Sequence, residues 1–141
     1  MALSLIVSGK FYATHLPSCF MSKILKSQLT GPSVWNGNTF KDNDSWIYNL
    51  SSDELSEIDS ALKNLSAANI KFPNFSKDDF RLPKLKFRLE EFANELENGR
   101  GFLVLRGLPV SYYNDDQVYV IYYGLGLKLG EPVLQNHNGD L

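Results

Sequence analysis

The chain has 141 residues, 43% hydrophobic and 13% aromatic, enough for one domain with a buried core and too apolar for a disordered polymer. Its formal charge of −2 supplies no basic field for nucleic acid, and no apolar run approaches the length of a membrane span. The single cysteine, Cys19, excludes an intrachain disulfide and a cysteine-based zinc site.

Charge is unevenly spread. Residues 1–41 hold four lysines and no acid, which leaves −6 on the remainder. Residues 1–30 therefore read as a disordered or poorly ordered extension, and residues 31–141 as the folded portion. Residues 1–28 match an organellar transit peptide weakly, because arginine is absent, and a secretory signal poorly, because a charged start and a full apolar segment are missing. A cytoplasmic protein is expected, an organellar one if residues 1–28 are a transit peptide; Met1 and Met21 both stand as starts.

Trp35, Phe40, Trp46 and Tyr48 cluster among polar and glycine residues, which predicts an irregular segment anchored by aromatic side chains; without a basic groove, core anchoring is favoured over base stacking. Ser51 to Glu54 form a capping box that opens a helix with Leu55, Ile58, Leu62 and Leu65 on one stripe. A loop follows Pro73, where Asp78 and Asp79 start a turn rather than form a catalytic carboxylate pair. Leu85, Leu89, Phe92, Ala93 and Leu96 predict a second amphipathic helix, with Gly99 at its C′ position. Asparagine-x-serine sequons at Asn43, Asn49, Asn64 and Asn74 are read as products of composition.

Phe102 to Leu105 is a continuous apolar run between glycine and proline breakers, as in a strand buried on both faces. Asn114 and Asp115 then cap a third helix carrying Val118, Ile121, Tyr122, Leu125 and Leu129 and ending at Gly130. The glycines at 124, 126 and 130 have the wrong spacing and position for dinucleotide binding and suit close packing and a helix end. Pro132 bars continuation of the helix, and Val133 to Gln135 predict a short strand.

These pieces together resemble a known family. G-R-G-F-L-V-L-R-G-L-P-V at 99–110, the helix ending G-L-G-L-K-L-G and the run E-P-V-L-Q-N-H-N-G-D-L at 131–141 are similar to the N-terminal part of the TauD/TfdA-like (taurine dioxygenase-like) family. G-P-S-V-W at 31–35 and W-I-Y-N-L at 46–50 follow the same order, so the resemblance covers about Gly31 to Leu141. It implies an α+β fold, in which N-terminal helices and the first strands belong to a double-stranded β-helix (clavaminate synthase-like), here truncated. It also implies Fe(II) and 2-oxoglutarate as cofactors, the latter decarboxylated to succinate while a small organic substrate is hydroxylated.

In that family iron is held by a His-x-Asp/Glu pair and a distant histidine. His15 precedes Leu16 and Pro17, and His137 and Asp140 form H-x-x-D, one residue too long, so no metal ligand, catalytic residue or cofactor-binding residue is assigned. The chain alone is expected to bind neither Fe(II) nor 2-oxoglutarate and to be inactive, a fragment of a dioxygenase. The family places substrate contacts just after the glycine and glutamate that end the third helix, which selects Gln135, Asn136 and Asn138, with Asn136 the least favoured by strand alternation. The alternative role for these amides is to cap a turn. Helix stripes such as Leu85, Leu89, Phe92 and Leu96, lacking a partner sheet, predict self-association. The alternative function is a non-enzymatic interaction module docking on a paralogue.

Overall fold

The computed structural model describes residues 5–6, as backbone, and 26–132. Its elements are β1 (Leu5–Ile6), β2 (Ile47–Asn49), α1 (Ser52–Ala67), α2 (Lys86–Asn98), β3 (Val104–Arg106) and α3 (Asp115–Leu129). The fold is α+β. Three helices and a turn-rich segment, 68–85, enclose one core, and a small sheet runs in the order β1-β3-β2.

The central strand forms where the apolar run predicts it, shifted toward its C-terminal end. Leu103, Val104 and Leu105 are buried, Phe102 is half-buried, and the hydrogen-bonded strand begins at Val104. Its parallel neighbour corrects the reading of 46–48 as irregular. Ile47, Tyr48 and Asn49 pair with Val104, Leu105 and Arg106, and the ladder extends through Val104 N–H donating to the Trp46 carbonyl and Leu50 N–H to the Arg106 carbonyl, at 2.9 and 2.8 Å. A three-residue strand carries too little periodicity to stand out locally, and its partner lies more than fifty residues away. β1 pairs antiparallel with β3 on the opposite side, Leu5 with Leu105 and Ile6 with Val104.

α1 opens on the predicted box: Ser51 accepts from Glu54 N–H, and the Glu54 carboxylate accepts from Ser51 N–H at 2.8 Å. Its buried stripe is rotated from the expected one. Ile58, Ala61 and Leu65 are buried with Glu54 and Glu57, whereas Leu55 and Leu62 are half-buried. The reason is that both glutamates have partners on neighbouring elements, Glu54 accepting from the Tyr48 hydroxyl of β2 and Glu57 from the backbone N–H groups at the start of α2.

α2 starts at Lys86, with Leu85 as its cap residue, and ends at Asn98. Gly99 is the C-cap itself and is not left-handed; the left-handed residue is Gly101, at φ 83°, whose N–H donates to the Glu95 carbonyl at 3.2 Å. The expectation that Leu85, Leu89, Phe92 and Leu96 lack a partner is overturned. All four are buried in the common core, covered by α1, α3 and the 68–85 segment together with the small sheet, whose Leu105 joins the core and whose Tyr48 packs on Phe92 with centroids 5.0 Å apart.

That segment is a core plug as well as a loop. Phe75, Phe80 and Leu82 are buried, Phe80 completely. Asp79 accepts from the Ser76 N–H and hydroxyl at 2.8 and 2.7 Å, closing the turn predicted at Asp78 and Asp79. Above Phe80 lies Gly124 of α3, where an added Cβ would sit 2.5 Å from the ring.

α3 carries the predicted cap, Asn114, in a reciprocal box with Gln117. Ile121 and Leu125 are buried, but Tyr122, placed on the inner stripe from sequence, is 53% exposed. Gly124 and Leu125 take the inner face, because the glycine admits Phe80 where a larger residue would hold the helix away. Among the described residues no helix is long and apolar enough to cross a membrane.

Candidate functional site

The sequence directs attention to the end of α3 and the residues after it. Gln135, Asn136, Asn138 and His137 lie outside the described residues, as do the strand expected at Val133 to Gln135, His15 and Cys19. What the structure gives is the platform that delivers the chain to Pro132.

That platform is fixed on two sides. The Gly124–Phe80 contact sets the height of α3 over the core, and Lys128 Nζ donates to the Lys77 carbonyl, tying the last turn of α3 to the Ser76–Asp79 turn. Burial lowers the Lys128 pKa from its ordinary value, and the bond to the carbonyl supplies a partner for the desolvated ammonium. Gly130 ends the helix with its N–H on the Gly126 carbonyl, at 3.0 Å.

Three polar networks lock the helices that carry it. Glu57 of α1 accepts from the backbone N–H groups of Lys84 and Leu85, at 2.7 and 2.9 Å, and so caps α2, which has no side-chain cap of its own. Tyr113 donates to Asp59 at 2.6 Å, joining the approach to α3 with α1. Burial first, and the Asp59 carboxylate after it, push the Tyr113 phenol far above its ordinary pKa, so it remains a neutral donor.

Glu54 accepts from the Tyr48 hydroxyl at 2.7 Å, linking α1 to β2, while Arg88 lies 5.5 Å from the Tyr48 ring centroid. Burial alone would raise the Glu54 pKa; the donors from Ser51 and Tyr48 outweigh it and hold the carboxyl below its ordinary value.

The aromatic residues preceding β2 serve as an anchor, as expected. Trp35, Phe40 and Trp46 surround Phe102 with centroids 4.7, 5.2 and 5.9 Å away. Both indole N–H groups are bonded, Trp35 to the Arg100 carbonyl at 3.0 Å and Trp46 to the Asn43 carbonyl at 2.8 Å. Arg100 in turn donates to Glu95 and to the Ser45 hydroxyl and carbonyl, and its bond to Glu95 lowers that carboxyl's pKa.

A concavity of about 440 Å³ lies at the other end of α3, lined by Leu62, Ile70, Lys71, Phe72, Tyr119 and Val120 among others. The fifteen residues of α3 place it about 20 Å from the helix exit at 1.5 Å per residue. Among the described residues, no group of three or more His, Cys, Asp or Glu side chains could hold a metal ion. The capping signals of Ser51 and Asn114 were visible in sequence. The long-range roles of Glu57 and Arg100 were missed, because their partners are defined only once the chain has folded.

The architecture defined by these elements is a helical scaffold that carries a short sheet and presents the chain after Gly130. No family model matches the chain. It is similar to FR-33289 synthase of Streptomyces rubellomurinus, 29% identical over 120 residues, or 85% of this chain and 35% of the relative. It is also similar to the taurine hydroxylase-like protein SAT17 of Stachybotrys chartarum, 26% identical over 106 residues, or 75% of this chain and 28% of the relative. The chain thus spans about a third of the length of the curated relatives it matches. These similarities agree with the resemblance read from the motifs: at modest identity, the chain is related to TauD-like dioxygenases.

Proposed function

We propose that this chain forms the N-terminal part of a TauD-like Fe(II)/2-oxoglutarate-dependent oxygenase, built on a double-stranded β-helix, that hydroxylates a small organic substrate. The observation that carries this reading is the similarity of 106 residues, 75% of this chain, to a taurine hydroxylase-like protein. The described residues do not fit an iron site. They include neither histidine nor cysteine, both histidines lying at 15 and 137, and a 2-His-1-carboxylate triad needs two imidazoles. Iron and 2-oxoglutarate are therefore assigned to polypeptide outside them.

The role left to the described residues is positional. Phe80, Gly124 and the Lys128–Lys77 bond hold α3 so that the residues after Pro132 leave from a fixed point. Gln135, Asn136 and Asn138 are proposed to reach the substrate from there, as amides that donate and accept without titrating.

The test is a chimera: the taurine hydroxylase-like protein with its matched segment replaced by the corresponding residues of this chain. Succinate formation that requires Fe(II) and 2-oxoglutarate, under conditions where the parent turns over, is the expected result. A chimera that unfolds, or folds without turnover while the parent is active, would overturn the reading.

A further inference from the structure

α3 differs from the other two helices in what it shows to solvent. α2 covers its outer side with Lys86, Arg88, Glu90 and Glu91, all exposed, and α1 exposes Asp53 and Lys63. From Gln117 to Leu129 the only charged residue is Lys128, and its ammonium is turned onto the Lys77 carbonyl. Tyr119, Tyr122 and Gly126 follow one another at helical spacing along one face, whereas Leu129 in the last turn packs against the core. Tyr119 and Tyr122 are 60% and 53% exposed, and a Cβ at Gly126 would meet nothing within 4 Å. A helix apolar around its whole circumference belongs in the interior of a domain, yet among the described residues one side has no cover.

We propose that this outer face of α3 is the surface on which the remainder of a TauD-like oxygenase domain packs, with Tyr119 and Tyr122 as its anchors and Gly126 as the point of closest approach. The inference rests on the proposed function and adds where the rest of such a domain would dock. Two observations select this occupant. The chain spans only about a third of its relatives, so each relative carries further polypeptide. The two anchors are also small: full burial of a tyrosine removes roughly 150–250 Å², so the exposed parts of these two amount to roughly 170–280 Å², far below the ~800 Å² per partner of a stable dimer. A patch of that size suits the inner side of a continuous domain rather than a free-standing interface between copies.

The experiment introduces Tyr119→Lys and Tyr122→Lys together into the 141-residue chain and into the chimera described above. In the chain alone both tyrosines are more than half exposed, Tyr119 beside the Phe72 ring at 6.3 Å and Tyr122 beside Leu50 and Leu108; lysine is a good helix former whose stem covers apolar surface while its ammonium stays in water, so Tm should move by no more than about 2 °C. In the chimera, where lysine ammonium groups would be forced into a packed layer, Tm should fall by about 5–10 °C. Tyr119→Phe with Tyr122→Phe should restore most of that loss.

An equally small shift in both proteins would overturn the inference. So would a large shift in the chain alone, which would mean that its own residues already cover the face, or a dimer of the chain by light scattering that the lysines dissolve, which would make a second copy the occupant. An active chimera indifferent to the lysines removes only this inference. A chimera that neither folds nor turns over removes the proposed function with it.

Discussion

Removing one carboxylate of α1 should loosen a helix that begins 29 residues later. Glu57 is 8% exposed, and its two oxygens accept from Lys84 and Leu85 N–H, the donors that α2 leaves without any side-chain cap of its own. Truncation to alanine strips both donors of their acceptor, and Leu85 is 1% exposed, so water does not readily replace the bond there. Hydrogen bonds to a charged group are worth about 1.5–3 kcal/mol each, and an anion at a helix N-terminus adds about 0.3–1 kcal/mol. Water access to the partly exposed Lys84 N–H reduces the sum, giving about 3–4 kcal/mol for Glu57→Ala.

That is a large share of the 5–15 kcal/mol typical of a domain and corresponds to a Tm loss of about 10–15 °C at this size. Glu57→Gln keeps one carbonyl acceptor but turns an amide N–H toward the second donor, so it should lose about half as much. Urea and thermal unfolding followed by far-UV circular dichroism would measure both, with exposed Glu90→Ala as a reference expected within about 0.5 kcal/mol of wild type. A Glu57→Ala variant with the midpoint of the Glu90→Ala reference would refute the assignment of Glu57 as the cap of α2.

Two glycines of α3 should respond to alanine with opposite signs. Gly124→Ala places a Cβ 2.5 Å from the Phe80 ring and should destabilise by about 1–3 kcal/mol, whereas Gly126→Ala enters open space and should stabilise by up to ~1 kcal/mol through helix propensity; calorimetry of the pair decides it. The Glu54 network sets an acid dependence. Because its folded pKa is depressed, its contribution is full above the ordinary glutamate value of 4.5 and is lost as pH falls through the lower folded value. Glu54→Gln should therefore lose less Tm than wild type between neutral pH and pH ~3, and parallel curves would refute that role.

Much of the helical scaffold was legible because its signals are local. Ser51 with Glu54, and Asn114 with its first-turn acids, mark helix starts within four residues, and the Phe102–Leu105 run needs no partner to look buried. What escaped depends on distance along the chain. β2 is defined by parallel pairing with β3, and the Glu57 cap by a turn 27 residues away, so neither leaves a local pattern. Gly99 and Gly101 look equivalent in sequence, and both N–H groups bond to the Glu95 carbonyl; only the left-handed φ of Gly101, 83° against −98° at Gly99, separates them. Tyr122 read as core because apolar spacing cannot separate the inner face of α3 from an outer face that is equally apolar. The substrate-contact residues proposed at Gln135, Asn136 and Asn138 rest on family resemblance, and the structure bears only on the platform from which they depart.

The central claim, that these residues are part of a TauD-like oxygenase, is tested most directly by the sequence of the messenger RNA past codon 141. The account predicts an open frame that encodes a His-x-Asp or His-x-Glu pair followed at a distance by another histidine. Transcripts that all stop without such a pair would contradict it.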